Sequence, residues 1–332
     1  MHHVGIIGTG SYVPKQILTN RDLERMVETS DKWILERTGI HERRIATDEE
    51  TNVTMGRTAL ERAIRNAHIE ADEIDMLVAG TNTTDPVWPS AAGHIAQLLD
   101  LRKNIPFFDL QAGCTGFNYS LAVAEQFVRC GQYRTVAVVG TDKLSAITDY
   151  KDRNTCVLFG DGAGAVVLRQ RREEGLIRSY LGGDFKHRDF LVLRRKGDNG
   201  NRFMWMDGKK VYAFAKGAMV ESCLRVVDPP GVAGVKELRA LFKKVIRIIP
   251  HQANARIIQG AAKALEGSLD LPPDEIMNKM IITIHKYGNN STASIPLALD
   301  ESVRDGELKR GDLVILVGFG AGLTYGANLV RL

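Results

Sequence analysis

Cys114, His251 and Asn289 each stand where the chain changes from one local structure to another, and together they offer a nucleophile and two polar partners. Cys114 lies in QAGCTGFNYSLAVAEQF, where Gly113 and Gly116 permit a sharp turn and a helix follows at once. A thiol at a helix N-terminus meets unsatisfied N–H groups and the positive end of the dipole, which predicts a lowered pKa and a reactive sulfur. The competing reading is a small buried apolar residue, the usual fate of cysteine. Cys130 in a helix tail, Cys156 in a strand and Cys223 in an amphipathic helix fit that description. His251 follows IRII and Pro250 and precedes QANARIIQ, placing it at the carboxyl end of a strand, where open α/β sheets carry their reactive groups. A histidine there could equally be a structural hydrogen bonder. Asn289 is suited to capping a helix, although the adjacent Asn290 could fill that role instead.

What singles out Asn289 is an internal repeat. A shift of 175 residues lays Gly113-Cys114 on Gly288-Asn289, Val128-Arg129 on Val303-Arg304 and Gly131 on Gly306. Three residues out of that register, VAVVG (136–140) matches ILVG (315–318), and the closing AVVLR (165–169) matches ANLVR (327–331). Each copy reads as a loop, an apolar helix, a Gly-capped basic turn, a buried strand, a Gly-rich turn and a last strand. Two paired halves, 1–172 and 173–332, therefore present equivalent junctions with different side chains, a cysteine in one and an asparagine in the other.

The positioning elements follow from short apolar runs bounded by Gly, Pro and Asn: MLVAG (76–80), VAVVG, AVVLR, IRIIP (246–250), IITIH (281–285) and LVILVGFG (313–320). Runs of this kind predict strands buried on both faces. Amphipathic helices are expected over 54–67, 116–130, 212–227 and 254–266. The alternation predicts an α/β fold with mixed, largely parallel sheets packed between helices. DPPGVAGVKELR (228–239) reads as an irregular surface insertion, because Pro-Pro-Gly breaks the preceding helix. GTGSYV (8–13) follows a strand but lacks the third glycine of a dinucleotide fingerprint, and Pro14 stands where its helix should be under way.

Composition narrows the function classes. With 44% apolar and 25% charged residues, the 332-residue chain is that of a globular protein with room for two cores. No apolar stretch reaches the length of a membrane span. The strand-like start VGIIG argues against a signal peptide. Four cysteines without CxxC spacing fit reduced thiols in a cytoplasmic enzyme. A net charge of +4 is too small to argue for nucleic acid. Between Lys236 and Lys263, however, lie seven basic residues and one acid, Glu237. That stretch is either a solvated face or a docking surface for an acidic partner. Within it, Arg256 and Lys263 lie seven residues apart on one face of a single helix, opposite Ile257, Ile258, Ala261 and Leu265.

The ordered set GIIGTGSYVP, TSDKWILERTGIHERR (29–44), AGCTGF, FGDGAGAVVL, PHQAN, YGNNSTAS and GFGAGLTYG resembles the β-ketoacyl-acyl-carrier-protein synthase III family, condensing enzymes of the thiolase superfamily, over almost the whole chain. The resemblance implies a thiolase-like duplicated fold. It also implies decarboxylative condensation of a short acyl-CoA, first of all acetyl-CoA, with malonyl-carrier protein, initiating fatty acid synthesis. Cys114 would carry the acyl group, His251 and Asn289 would stabilise the enolate, and the backbone N–H groups of Cys114 and Ala321 would form the oxyanion hole. Trp33, Arg37 and Arg153 match positions that hold the coenzyme A nucleotide, and Gly208, Tyr212 and Asn254 match the pantetheine passage. Phe159 and Phe319 match walls of the acyl pocket. Trp88 matches an aromatic that crosses a homodimer interface into the partner's pocket. Arg256 and Lys263 would meet the acidic carrier protein. No metal or redox cofactor is implied. Departures are Tyr212 where phenylalanine is frequent, Asn290 where threonine is frequent, and longer segments at 228–245 and 266–280. A related condensing enzyme of polyketide or quinolone-type metabolism and a non-catalytic acyl-CoA or carrier-protein binding module are the rival readings.

Overall fold

The computed structural model describes residues 2–173, 175–193 and 203–332. Its first elements are β1 (His3–Tyr12), β2 (Gln16–Thr19), α1 (Asn20–Glu24), α2 (Asp31–Thr38), β3 (Glu42–Ile45), α3 (Asn52–Asn66), β4 (Met76–Gly80), α4 (Ala91–Leu98) and β5 (Phe107–Leu110). Next come α5 (Gly116–Arg129), β6 (Thr135–Asp142), β7 (Gly162–Arg171), β8 (Leu176–Gly183), β9 (Leu191–Leu193), β10 (Met204–Met206), α6 (Gly208–Val227) and α7 (Val235–Lys244). The chain closes with β11 (Arg247–Pro250), α8 (Ala255–Leu269), α9 (Ile284–Tyr287), α10 (Ser294–Arg304), β12 (Leu313–Gly320) and β13 (Thr324–Arg331).

One large sheet has the order β1-β7-β6-β4-β5 and the other the order β8-β13-β12-β11. Taken from their antiparallel edges, the first four strands of each run antiparallel, antiparallel, parallel. The repeat in sequence is thus a repeat of strand order and direction. Among the described residues the parallel strand pairs are β4 with β5, β4 with β6, and β11 with β12. The sheets are therefore mixed, with a smaller parallel share than the apolar runs suggest. Burial on both faces makes β7 and β13 read as continuous apolar runs whichever way they point.

Helices α5 and α10 form the middle layer. Phe117, Leu121, Ala124 and Val128 recur at helical spacing on α5 and pack, with Ile295, Ala298 and Leu299 of α10, between Val136 and Val138 of β6 and Val314 and Leu316 of β12. Each of the larger side chains, fully buried, contributes about 1.5–3 kcal/mol. Helices α3 and α4 cover the outer face of the first sheet, and α6 and α8 that of the second. The result is an αβαβα stack. Pro296 falls in the first turn of α10, where its missing N–H leaves no bond unmade.

Three local expectations change. IITIH is not a strand: Ile281 N–H reaches Ile248 O at 2.9 Å and Met280 forms a single bridge to Ile248, beside β11 where β5 would have its counterpart. The chain then leaves the ladder because Gln252 Oε1 accepts the N–H groups of Thr283 and Ile284 at 2.9 and 3.1 Å, and α9 begins. The segment 228–239 is irregular only to Gly234. From Val235 it is helical, held by Glu237 accepting the Gly234 N–H at 2.7 Å. Cys156 lies in a turn, buried, and not in a strand. Among the described residues no helix is long and apolar enough to cross a membrane.

Candidate active site

Gly113 takes φ +56°, and a Cβ there would lie 2.6 Å from both the backbone nitrogen and oxygen of Ala321. Only glycine lets the loop after β12 approach so closely. That approach turns the backbone N–H groups of Cys114 and Ala321 toward the Cys114 sulfur, while Ser291 Oγ stands 3.3 Å from Sγ. Thr115 is the N-cap of α5, so half-buried Cys114 stands one residue outside the helix. Its thiol pKa is pushed up to about 11, first by burial and further by the Asp142 carboxylate, against the hydrogen bonds from Ser291 and the backbone. The lowered pKa expected from the helix end is therefore not found. Removal of the sulfur from water outweighs the first-turn dipole.

His251 follows β11 and is buried, its backbone N–H donating to Val317 O at 2.7 Å. The ring meets Phe319 edge-on at 5.4 Å, and Nδ1 lies 2.7 Å from Ser294 Oγ. Burial pushes its pKa down to about 3, so the ring is neutral at physiological pH. Asn289 is buried and held by its backbone, with N–H to Leu158 O at 2.9 Å and C=O to Gly160 N–H at 3.1 Å. Its Oδ1 accepts the Ser291 N–H at 2.9 Å, which leaves Nδ2 without a partner among the described residues. Asn289 caps no helix. Asn290 is tied elsewhere, its Nδ2 donating toward Asp161 O and Tyr287 O at 3.1 and 3.2 Å.

Cys114, His251, Asn289, Phe159, Phe319 and Ala321 all line one cavity of about 960 Å³. The same cavity runs past Gly208, Tyr212 and Asn254 to Trp33, Arg37 and Arg256. Arg37 and Arg153 both place their guanidiniums over the Trp33 ring, 5.8 and 5.1 Å from its centre. Arg153 is beside the cavity and not on its wall, and its Nη1 donates to Glu28 O at 2.9 Å. Asn254 caps α8 by accepting the Arg256 N–H at 2.8 Å, and its Nδ2 donates to Arg37 O at 3.0 Å. Lys263 is exposed further along α8. Trp88 stands apart from this cavity, 81% exposed.

The sequence reading missed Ser291, Ser294 and Asn82. The hydroxyl-rich run after Asn289 carried a signal for the two serines. Asn82 follows β4, at the same kind of strand end that drew attention to His251.

The family sequence model described as 3-oxoacyl-[acyl-carrier-protein (ACP)] synthase III matches residues 108–184, and its C-terminal companion matches 241–332. A β-ketoacyl-[acyl-carrier-protein] synthase III of Clostridium acetobutylicum is 43% identical over 340 residues, spanning 100% of this chain and 99% of its own. The chain belongs to the β-ketoacyl-acyl-carrier-protein synthase III family. It is a condensing acyltransferase of fatty acid synthesis with a thiolase-like fold. The crystal structure of 3-oxoacyl-[acyl-carrier-protein] synthase III from Aquifex aeolicus matches with a TM-score of 0.88 at 39% identity, over 99% of this chain and 100% of that one. A priming β-ketosynthase from the R1128 polyketide biosynthetic pathway matches with a TM-score of 0.88 at 32% identity, over 100% and 96% of the two chains.

Proposed function

We propose that the chain joins a short acyl-CoA, acetyl-CoA before others, to malonyl-carrier protein by way of an acyl group on Cys114. The observation that carries this reading is the convergence in one cavity of a thiol beneath two backbone N–H groups, a neutral imidazole and a fixed amide. In the first half-reaction the Cys114 proton departs as Sγ bonds to the thioester carbonyl. The oxyanion meets the N–H groups of Cys114 and Ala321, and the C–S bond to coenzyme A breaks with the proton passing to its thiolate.

In the second half-reaction the malonyl C–C bond breaks and carbon dioxide leaves. The electron pair becomes a thioester enolate whose oxygen accepts hydrogen bonds from His251 and Asn289. Ser294 sets the imidazole for this role. Its Oγ accepts the Gln252 N–H at 3.4 Å and its O–H donates a hydrogen bond to Nδ1, which leaves the ring proton on Nε2. Asn289 donates from Nδ2 because its oxygen is engaged by Ser291. The enolate carbon then attacks the acyl carbonyl. Collapse expels the Cys114 thiolate, which takes a proton from solvent. These steps use no metal or redox cofactor.

Trp33, Arg37 and Arg153 would hold the nucleotide by stacking and phosphate contacts, and Gly208, Tyr212 and Asn254 would pass the pantetheine. Phe159 and Phe319 would wall the primer pocket, with the partner's Trp88 closing it in a cytoplasmic homodimer whose chains each consist of halves 1–172 and 173–332. Arg256 and Lys263 would receive the acidic carrier. A W88A variant should then accept longer acyl-CoAs, and a monomeric active enzyme would remove that part of the reading. The test of the whole is intact mass spectrometry after incubation with a panel of acyl-CoAs. An adduct on Cys114, largest with acetyl-CoA, is expected, and an adduct elsewhere or none would overturn it. The likeness to the R1128 priming enzyme supports a second reading, priming of a polyketide carrier. Parallel turnover with fatty-acid and polyketide carrier proteins separates the two.

A further inference from the structure

We propose that Ser291 is a further catalytic residue of the acyl-transfer half-reaction, its hydroxyl donating to the Cys114 thiolate under the direction of Asn82 and Asp142. The inference rests on Cys114 being the nucleophile. Ser291 has φ +49°, the left-handed region that a residue with a side chain adopts only when its surroundings hold it there. Three contacts do so. Its N–H donates to Asn289 Oδ1 at 2.9 Å, its Oγ accepts from Asn82 Nδ2 at 3.2 Å, and the same Oγ lies 3.3 Å from Cys114 Sγ. Because Asn82 occupies an acceptor site of the hydroxyl, the hydroxyl proton is free to point at sulfur.

Asn82 is itself fixed. Its N–H donates to Asp142 Oδ1 at 2.7 Å, and Nδ2 lies 3.1 Å from Asp142 Oδ2 and 3.2 Å from Gly113 O. Asp142 is fully buried and also accepts from Thr81, Thr83 and Thr292, so the carboxylate is anchored from two segments, 81–83 and the turn at 292. The two Nδ2 hydrogens of Asn82 are shared among Asp142 Oδ2, Gly113 O and Ser291 Oγ, and with the backbone N–H on Asp142 they confine the amide to one orientation. The charged and titratable groups facing the sulfur are Asp142, behind Asn82, and the neutral His251, while Arg37, Lys209, Asp207, Tyr212 and Arg256 lie on the cavity wall toward its mouth. Ser291 therefore supplies the side-chain donor that offsets burial of the sulfur, and its backbone serves the other half-reaction by holding Asn289.

The two duties separate in S291A, which removes the hydroxyl and keeps the N–H. Single-turnover acylation of Cys114 by acetyl-CoA should fall about three- to tenfold, since a lost hydrogen bond to a charged group reduces the thiolate population while leaving each thiolate more nucleophilic. Alkylation of Cys114 by iodoacetamide at a fixed mildly alkaline pH, mapped by peptide mass, should fall in step. Decarboxylation of malonyl-carrier protein should stay within about twofold of the parent, because the N–H to Asn289 remains. S291G, which adopts φ +49° without strain, should behave alike and serves if S291A does not fold. Parent-like acylation and alkylation in both variants, or decarboxylation falling as far as acylation in both, would overturn the proposal. Failure of the parent protein to acylate at Cys114 would instead overturn the reading on which it rests.

Discussion

Gly113 and Gly288 hold φ of +56° and +65°, and each is followed by a polar residue facing the same cavity. Beyond that the two junctions diverge. After Cys114 the chain passes through one N-cap residue into α5, so the sulfur remains beside backbone N–H groups suited to an oxyanion. After Asn289 the chain inserts Asn290, tied to two backbone carbonyls, and a short 3-10 turn from Ser291 to Ala293 before α10 begins. That extra turn places the Ser291 N–H on the amide oxygen and leaves only the amide donor facing the substrate space. A duplicated scaffold offers two equivalent positions. In the proposed mechanism, the local path of the chain decides which serves as nucleophile and which as donor.

The largest effect should come from emptying the first junction. C114A should form no acyl-enzyme by intact mass spectrometry and make no condensation product, yet still decarboxylate malonyl-carrier protein at a measurable rate, because His251 and Asn289 are intact. Loss of both activities would mean the junctions do not divide the chemistry. A smaller effect is expected from S294A, which removes the partner of His251 Nδ1. Decarboxylation should fall about tenfold through loss of the preferred tautomer, with acylation of Cys114 near parent level; equal losses in both would assign Ser294 a purely structural place.

The third prediction concerns acid. His251 binds its proton near the ordinary value of 6.5 when unfolded but only at about 3 when folded. Between those values the unfolded chain holds the extra proton, so this residue stabilises the fold above about pH 6.5 and that contribution is lost as pH falls toward 3. The slope is about 1.4 kcal/mol per pH unit. Urea unfolding at pH 7 and pH 5 should show a steeper loss for the parent than for H251Q; parallel losses would contradict the neutral buried imidazole. The smallest effect should be at the surface. K263E, off the cavity wall, should raise KM for malonyl-carrier protein a few-fold at low salt and flatten its salt dependence, without changing acylation by acetyl-CoA. Arg256 lines the cavity itself, so R256E should raise KM for both substrates.

Much of this was legible in sequence because the repeat is one of topology. Matched runs such as VAVVG and ILVG occupy matched strands, β6 and β12, and the glycine turns before Cys114 and Asn289 mark equivalent corners. Less legible was anything decided by long-range contacts. IITIH has a strand's composition, but Gln252, about 30 residues earlier in the chain, draws its N–H groups out of the ladder. The thiol's pKa turned on burial beneath residues from both halves, which helix-end position does not reveal. Asn82 joins the site from a strand end with no motif around it, and its part shows only once β4 lies beside β6 and Asp142.

The division of labour is tested most directly in N289A, with both half-reactions measured on one preparation. Intact mass after acetyl-CoA should show Cys114 acylated to an extent comparable with the parent. Carbon dioxide release from malonyl-carrier protein should fall on the order of 100- to 1000-fold, the scale of losing one preorganised donor to a developing oxyanion. Parent-like decarboxylation, or acylation lost to the same degree, would contradict the account.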